Sequence, residues 1–159
     1  MFDRILVAIG GPEHSLEPAR VAGSLAAKLG SRLTIVSVYR HTLAAMGDPY
    51  YGEMLIPRLQ EANDTLEQAA AVARAEGAGE PELNALEGEP AERIASLARN
   101  ERFQLVIMGT HRRGRIGAAL LGSVSGAVAA RADVPVLVVP DLQPVSKMPL
   151  SVAGRSRAG

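Results

Sequence analysis

Short apolar runs alternating with stretches of helical period constrain this chain more than any other feature. The runs are residues 5–9 (ILVAI), 33–39 (LTIVSVY), 81–86 (PELNAL), 105–108 (LVIM) and 134–139 (VPVLVV). The third is weaker and more polar, as an edge strand is, and Pro135 interrupts the last. A strand with one wet face alternates apolar and polar residues, whereas a continuous apolar run needs cover on both faces, which is the mark of a parallel sheet. The intervening segments supply that cover. Residues 15–29 carry a stripe of Leu16, Ala19, Ala22, Leu25, Ala26 and Leu29 that stops at Gly30. Residues 54–76 repeat Leu55, Leu59, Ala62, Leu66, Ala69, Ala70 and Ala73. Residues 90–100 open on Pro90 and repeat Ile94, Leu97 and Ala98, and residues 123–132 form a fourth helix. Such alternation predicts right-handed crossovers and an α/β fold: a doubly wound, five-stranded parallel sheet with helices on both faces. The expected strand order is 3-2-1-4-5, with the first and fourth strands adjacent at the switch point.

Composition narrows the function classes. A chain of 159 residues is one domain's worth and buries roughly 70% of its unfolded surface. Aromatic residues make up 3% and Trp is absent, so the core must be aliphatic and no stacking platform for single-stranded nucleic acid exists. Seventeen basic and seventeen acidic residues cancel, leaving no global field to recruit DNA or an anionic membrane. With no cysteine, disulfides, thiolate catalysis and Cys-based zinc sites are excluded. The opening MFDRILVAIGG is no signal peptide, and the longest uncharged stretch, residues 116–130, is shorter than the ~18 residues a membrane span needs. The expectation is a soluble cytoplasmic protein with a domain over residues 1–140 and a disordered tail over 141–159. Residues 41–51 (HTLAAMGDPYY) lack a period and read as a loop before the second helix.

Residues 105–126, LVIMGTHRRGRIGAALLGSVSG, carry the chemistry. A strand runs into Gly109, a loop of basic and small residues follows, and Gly122-Ser123 opens a helix. Helix N–H groups and the positive end of the helix dipole point at an anion in such an arrangement. Open parallel sheets bind ligands beyond the carboxyl ends of strands at the switch point. The loop after the first strand (residues 10–15), the chain after Tyr39 and the loop after Gly109 converge there. Met108 and Val38 are placed to sandwich a flat apolar group. Gly122, Ser123, Val124 and Ser125 offer N–H groups and two hydroxyls to a phosphate. The cluster Arg112, Arg113 and Arg115 is either an anion contact or a solvated loop. No nucleophile and carboxylate accompany His14, so Glu13, His14 and Ser15 read as the start of the first helix.

These segments together resemble the universal stress protein family over about residues 1–140. DRILVAIGGPEHS is similar to the family's opening strand and turn, VIMGTH and LLGSV to its nucleotide loop, and PVLVV to its closing strand. In the nucleotide-binding branch the loop runs Gly, two residues, Gly, nine residues, Gly, then Ser or Thr; Gly109 and Gly122-Ser123 fit its ends. Its middle glycine falls at Arg112, and the Asp that ends the family's first strand is here Gly10. If the backbone at Arg112 has φ > 0, a non-Gly residue costs about 1–2 kcal/mol. An Arg–phosphate hydrogen bond contributes about 1.5–3 kcal/mol, so the two effects are comparable. The resemblance implies an adenine nucleotide, ATP foremost, with or without Mg²⁺. It implies contacts from Ala8, Ile9, Gly10, Val38, Met108, Gly109, Thr110, His111, Arg112, Gly122, Ser123, Val124 and Ser125. It also implies a homodimer through Val136, Leu137, Val138 and Val139, whose edge would otherwise be an exposed pairing template. No carboxylate is evidently placed to hold Mg²⁺ or position water, so the expected role is a stress-response regulator with slow turnover at most. The alternatives are an interaction module of the same fold without nucleotide binding, and a slow ATPase.

Overall fold

The computed structural model describes residues 1–11, 14–40, 51–110 and 122–140, with only the backbone of 51 and 52. Strand β1 (Arg4–Ile9) is followed by α1 (Glu17–Leu29), β2 (Arg32–Tyr39), α2 (Tyr51–Ala75), β3 (Glu82–Glu87), α3 (Pro90–Asn100), β4 (Leu105–Gly109), α4 (Ser123–Arg131) and β5 (Val136–Val139). All four strand pairings are parallel, and the order is β3-β2-β1-β4-β5. This is the doubly wound sheet that the alternation demands.

The continuous apolar runs separate by parity into two cores, because successive strand side chains point to opposite faces. Ile5, Val7, Ile9, Leu33, Ile35, Leu105 and Ile107 face one way, against Ala19, Ala22 and Ala26 of α1 and Leu66, Ala69, Ala70 and Ala73 of α2. Leu6, Ala8, Val36, Val106 and Met108 face the other, against Ala91, Ile94 and Ala98 of α3 and Val128 of α4. Alanine on the helix faces lets α1 and α2 lie close. A Cβ on Gly23 of α1 would stand 2.7 Å from the backbone of Ala73 in α2. The expected aliphatic core holds, with one aromatic addition. Phe103 is fully buried, and the guanidinium of Arg4 lies over its ring at 4.7 Å.

Several boundaries shift. Helix α1 starts at Glu17, not residue 15, because Pro18 occupies its first positions and needs no N–H partner there. Gly30 ends it in the left-handed conformation, φ 69°, as the pattern predicts. Helix α2 starts at Tyr51, so Tyr51 is not loop; residues 41–50 lie outside the described residues, as does the expected tail over 141–159. Strand β3 spans Glu82–Glu87, one residue later than expected, and occupies the other sheet edge. Strand β5 is shorter than residues 134–139. Pro135 donates nothing, although its carbonyl accepts from Val106 at 3.0 Å, and regular pairing begins at Val136. Among the described residues, no helix is long and apolar enough to cross a membrane.

Candidate functional site

The carboxyl ends of β1, β2 and β4 open into one cavity of about 710 Å³. It sits where the chain's winding reverses, because β1 pairs with β2 on one side and β4 on the other. Register explains its floor. Ala8 pairs with Val36 and with Met108, and these three side chains share the α3/α4 face of the sheet with Val38 packed beside them. The result is an apolar shelf one residue type wide on each strand, with small Ala8 at its centre.

Helix α4 meets the shelf end-on. Gly122 stands at the N-cap position with φ −56° and ψ 158°, and contributes no side-chain cap. Ser123 is therefore a first-turn residue, not the cap. The first N–H groups of any helix lack intrahelical partners, so this terminus presents donors to the cavity. Ser125 is buried, and its hydroxyl donates to the Gly122 carbonyl at 3.1 Å, which holds the first turn closed.

Thr110 directly follows the end of β4. Its N–H donates to Val139 O at 3.0 Å, which ties it to β5. Its hydroxyl oxygen is inaccessible to solvent and has no hydrogen-bond partner among the described residues. A buried hydroxyl without a partner costs about 1–3 kcal/mol, and a turn of the Thr110 side chain toward the cavity that this residue lines would bring the oxygen to a polar ligand atom. Gly109 beside it is tightly enclosed: a Cβ there would lie 3.1 Å from Pro18 Cγ of α1.

The structure brings Ala8, Ile9, Gly10, Val38, Met108, Gly109, Thr110, Gly122, Ser123, Val124 and Ser125 to this cavity, together with Val139 of β5. His111, Arg112, Arg113 and Arg115 lie outside the described residues. One wall escaped the sequence reading. Arg58, Glu61, Ala62 and Thr65 of α2 line the cavity, and their 58, 61/62, 65 spacing is a helical stripe visible in the sequence. Arg58 donates to the Arg40 carbonyl at 2.6 Å, and Arg40 pairs with Glu89 at 3.0 Å, which ties the start of α2 to the end of β2 and the entry to α3. His14 and Ser15 also line the cavity and do not begin α1. The Ser15 hydroxyl instead accepts the Glu17 N–H at 3.1 Å ahead of the helix.

Comparison with known proteins agrees with this architecture. A family model described as the universal stress protein family matches residues 1–140. A universal stress protein of Thermus aquaticus is 37% identical over 139 residues, covering 87% of this chain and 99% of that one. A universal stress protein solved in complex with cAMP superposes with TM-score 0.65 at 27% identity, covering 87% of this chain and 97% of that one. The universal stress protein of Archaeoglobus fulgidus in complex with dAMP gives TM-score 0.61 at 25% identity, covering 87% and 98%. With a family match along residues 1–140, a close relative covered almost end to end and the same doubly wound sheet, this chain belongs to the universal stress protein family.

Proposed function

We propose that the cavity binds an adenine nucleotide, ATP foremost, and that the chain is a nucleotide-responsive stress regulator with little turnover. One observation carries the reading: the apolar shelf of Ala8, Val38 and Met108 shares a single cavity with Thr110 and the N-terminus of α4. The shelf suits a flat purine. Thr110, Ser123 and the α4 N–H groups suit sugar and phosphate oxygens. Two structural relatives hold cAMP and dAMP, which supports the adenine class. Among the described residues, Glu61 is the single carboxylate on the lining, and no group of three or more His, Asp or Glu is placed to hold a metal. Mg²⁺ would then travel with the nucleotide's phosphates. Residues 1–140 would act as the domain, in the cytoplasm, as a homodimer joined along β5.

Isothermal titration with ATP tests the reading. Saturable heat with one site per chain is expected. No heat at millimolar ATP would overturn it in favour of an interaction module without nucleotide.

A further inference from the structure

Helix α2 brings three polar side chains to the cavity on one stripe: Arg58, Glu61 and Thr65. Two of them are engaged with backbone. The Thr65 hydroxyl donates to the Glu61 carbonyl at 2.9 Å, one turn back in the helix, and Arg58 donates to the Arg40 carbonyl at 2.6 Å. Arg58 stands three residues before Glu61, the spacing at which opposite charges pair along a helix, yet it reaches toward the end of β2. The Glu61 carboxylate turns instead toward the end of β1. Gly11 follows that strand without a side chain, and a Cβ built there would lie 3.7 Å from Glu61 Oε1. Among the described residues, no hydrogen bond or ion pair engages this carboxylate. The same stripe therefore sets a cation at the end of β2 and an unpaired anion at the end of β1.

From this placement we infer that Glu61 is a specificity-determining residue, whose carboxylate accepts hydrogen bonds from the 2′ and 3′ hydroxyls of a ribonucleotide. The inference rests on the nucleotide reading above and adds the sugar to it. Two charges orient the ligand. The N-terminus of α4 attracts phosphates and a carboxylate repels them, so the phosphates go to α4 and an uncharged donor faces Glu61. An ionised carboxylate accepts through both oxygens and donates nothing, which suits two neighbouring hydroxyls. The exocyclic amine of the base is the competing donor. The shelf that takes the base, however, lies on the α3/α4 face of the sheet, and α2 covers the opposite face. The sugar joins base to phosphates across the strand ends, and its diol is the donor pair left for α2.

The test is calorimetric titration of the full chain and its variants with ATP, 2′,3′-dideoxy-ATP and purine riboside triphosphate, with circular dichroism to confirm that each variant folds. The parent should bind ATP roughly tenfold more tightly than dideoxy-ATP, the scale of hydrogen bonds to a charged acceptor that keeps solvent on one side. It should bind purine riboside triphosphate, which keeps the diol and lacks the amine, with the same preference over dideoxy-ATP. Glu61→Ala and Glu61→Gln should each lose most of the preference for ATP. Affinity for dideoxy-ATP should stay level or rise in both, because the repulsion of phosphates is gone. Gln keeps the length of the side chain, so its loss reports the carboxylate and not the packing. A parent that does not prefer ATP to dideoxy-ATP, a preference that survives both substitutions, or a parent that discriminates only by the amine would overturn the role of Glu61. Equal loss for ATP and dideoxy-ATP in Glu61→Ala would do the same, and each of these results leaves nucleotide binding standing. Failure of the parent to bind any of the three nucleotides would overturn the nucleotide reading itself and this inference with it.

Discussion

Thr110 shows most clearly how a single residue divides stability from binding. Its buried hydroxyl has no protein partner among the described residues, so folding gains nothing from it there. Replacing it with the nearly isosteric valine removes the unsatisfied group. Thr110→Val should therefore leave stability unchanged or raise it by about 1 kcal/mol in urea melts. The same change should weaken nucleotide binding about tenfold by titration calorimetry. A variant that loses stability and keeps affinity would show that the hydroxyl is structural. Gly122 works by a different route. Lacking a side chain, it leaves the α4 donors uncovered, and Gly122→Val should weaken ATP binding at least tenfold, measured the same way, with little change in the melting temperature.

Among the elements, the contact of α1 with α2 sets the thickness of one layer. Alanine at an exposed helix position is better than glycine by about 1 kcal/mol. At Gly23 that gain meets a Cβ placed 2.7 Å from the Ala73 backbone, which cannot swing aside as a side chain would. Overpacking of this kind costs about 1–3 kcal/mol, so Gly23→Ala should be destabilising on balance in denaturant melts, and a stabilised variant would contradict the packing. The helix ends also carry charge pairs. Arg20 holds the Glu17 carboxyl below its ordinary range by a direct hydrogen bond, and Arg74 does the same to Glu80. A carboxylate with a lowered folded-state pKa stabilises above the unfolded value and loses that contribution as pH falls through the folded one. The melting temperature should therefore fall as pH drops below about 4.5, and Arg20→Met with Arg74→Met should reduce that fall. Both pairs are exposed to solvent, so the difference should be small and should shrink in high salt. Existence and order of the elements were legible because residues 5–9, 33–39 and 105–108 are apolar on both faces. Their ends were not, because Pro18 and Pro135 decide them through missing donors. Of the candidate site, the cavity lining on β1, β2, β4 and α4 could be read from strand ends, glycine spacing and the family resemblance. The α2 wall could not, since a polar stripe on a helix looks the same whether it faces solvent or a cavity.

For the whole molecule, both faces of the sheet carry helices, and among the described residues β5 is an edge strand. Strand β5 pairs with β4 on one side, and Leu137 is 38% exposed between half-buried Val136 and Val138. Pairing with a second copy would cover this edge, so light scattering should give about twice the 16.7 kDa chain mass at micromolar concentration. Leu137→Lys should lower the mass to that of one chain while circular dichroism stays unchanged. A parent of single-chain mass would remove the dimer from the account and leave the cavity untouched, since the described cavity is lined by one chain. Val139 both ends β5 and lines the cavity. The most direct measurement of the central claim is amide chemical-shift mapping of the labelled protein titrated with ATP. The expected result is saturable shifts confined to Ala8, Gly10, Val38, Met108, Gly109, Thr110 and residues 122–125, with the opposite ends of the strands unmoved. Shifts centred elsewhere, or none at millimolar ATP, would contradict it.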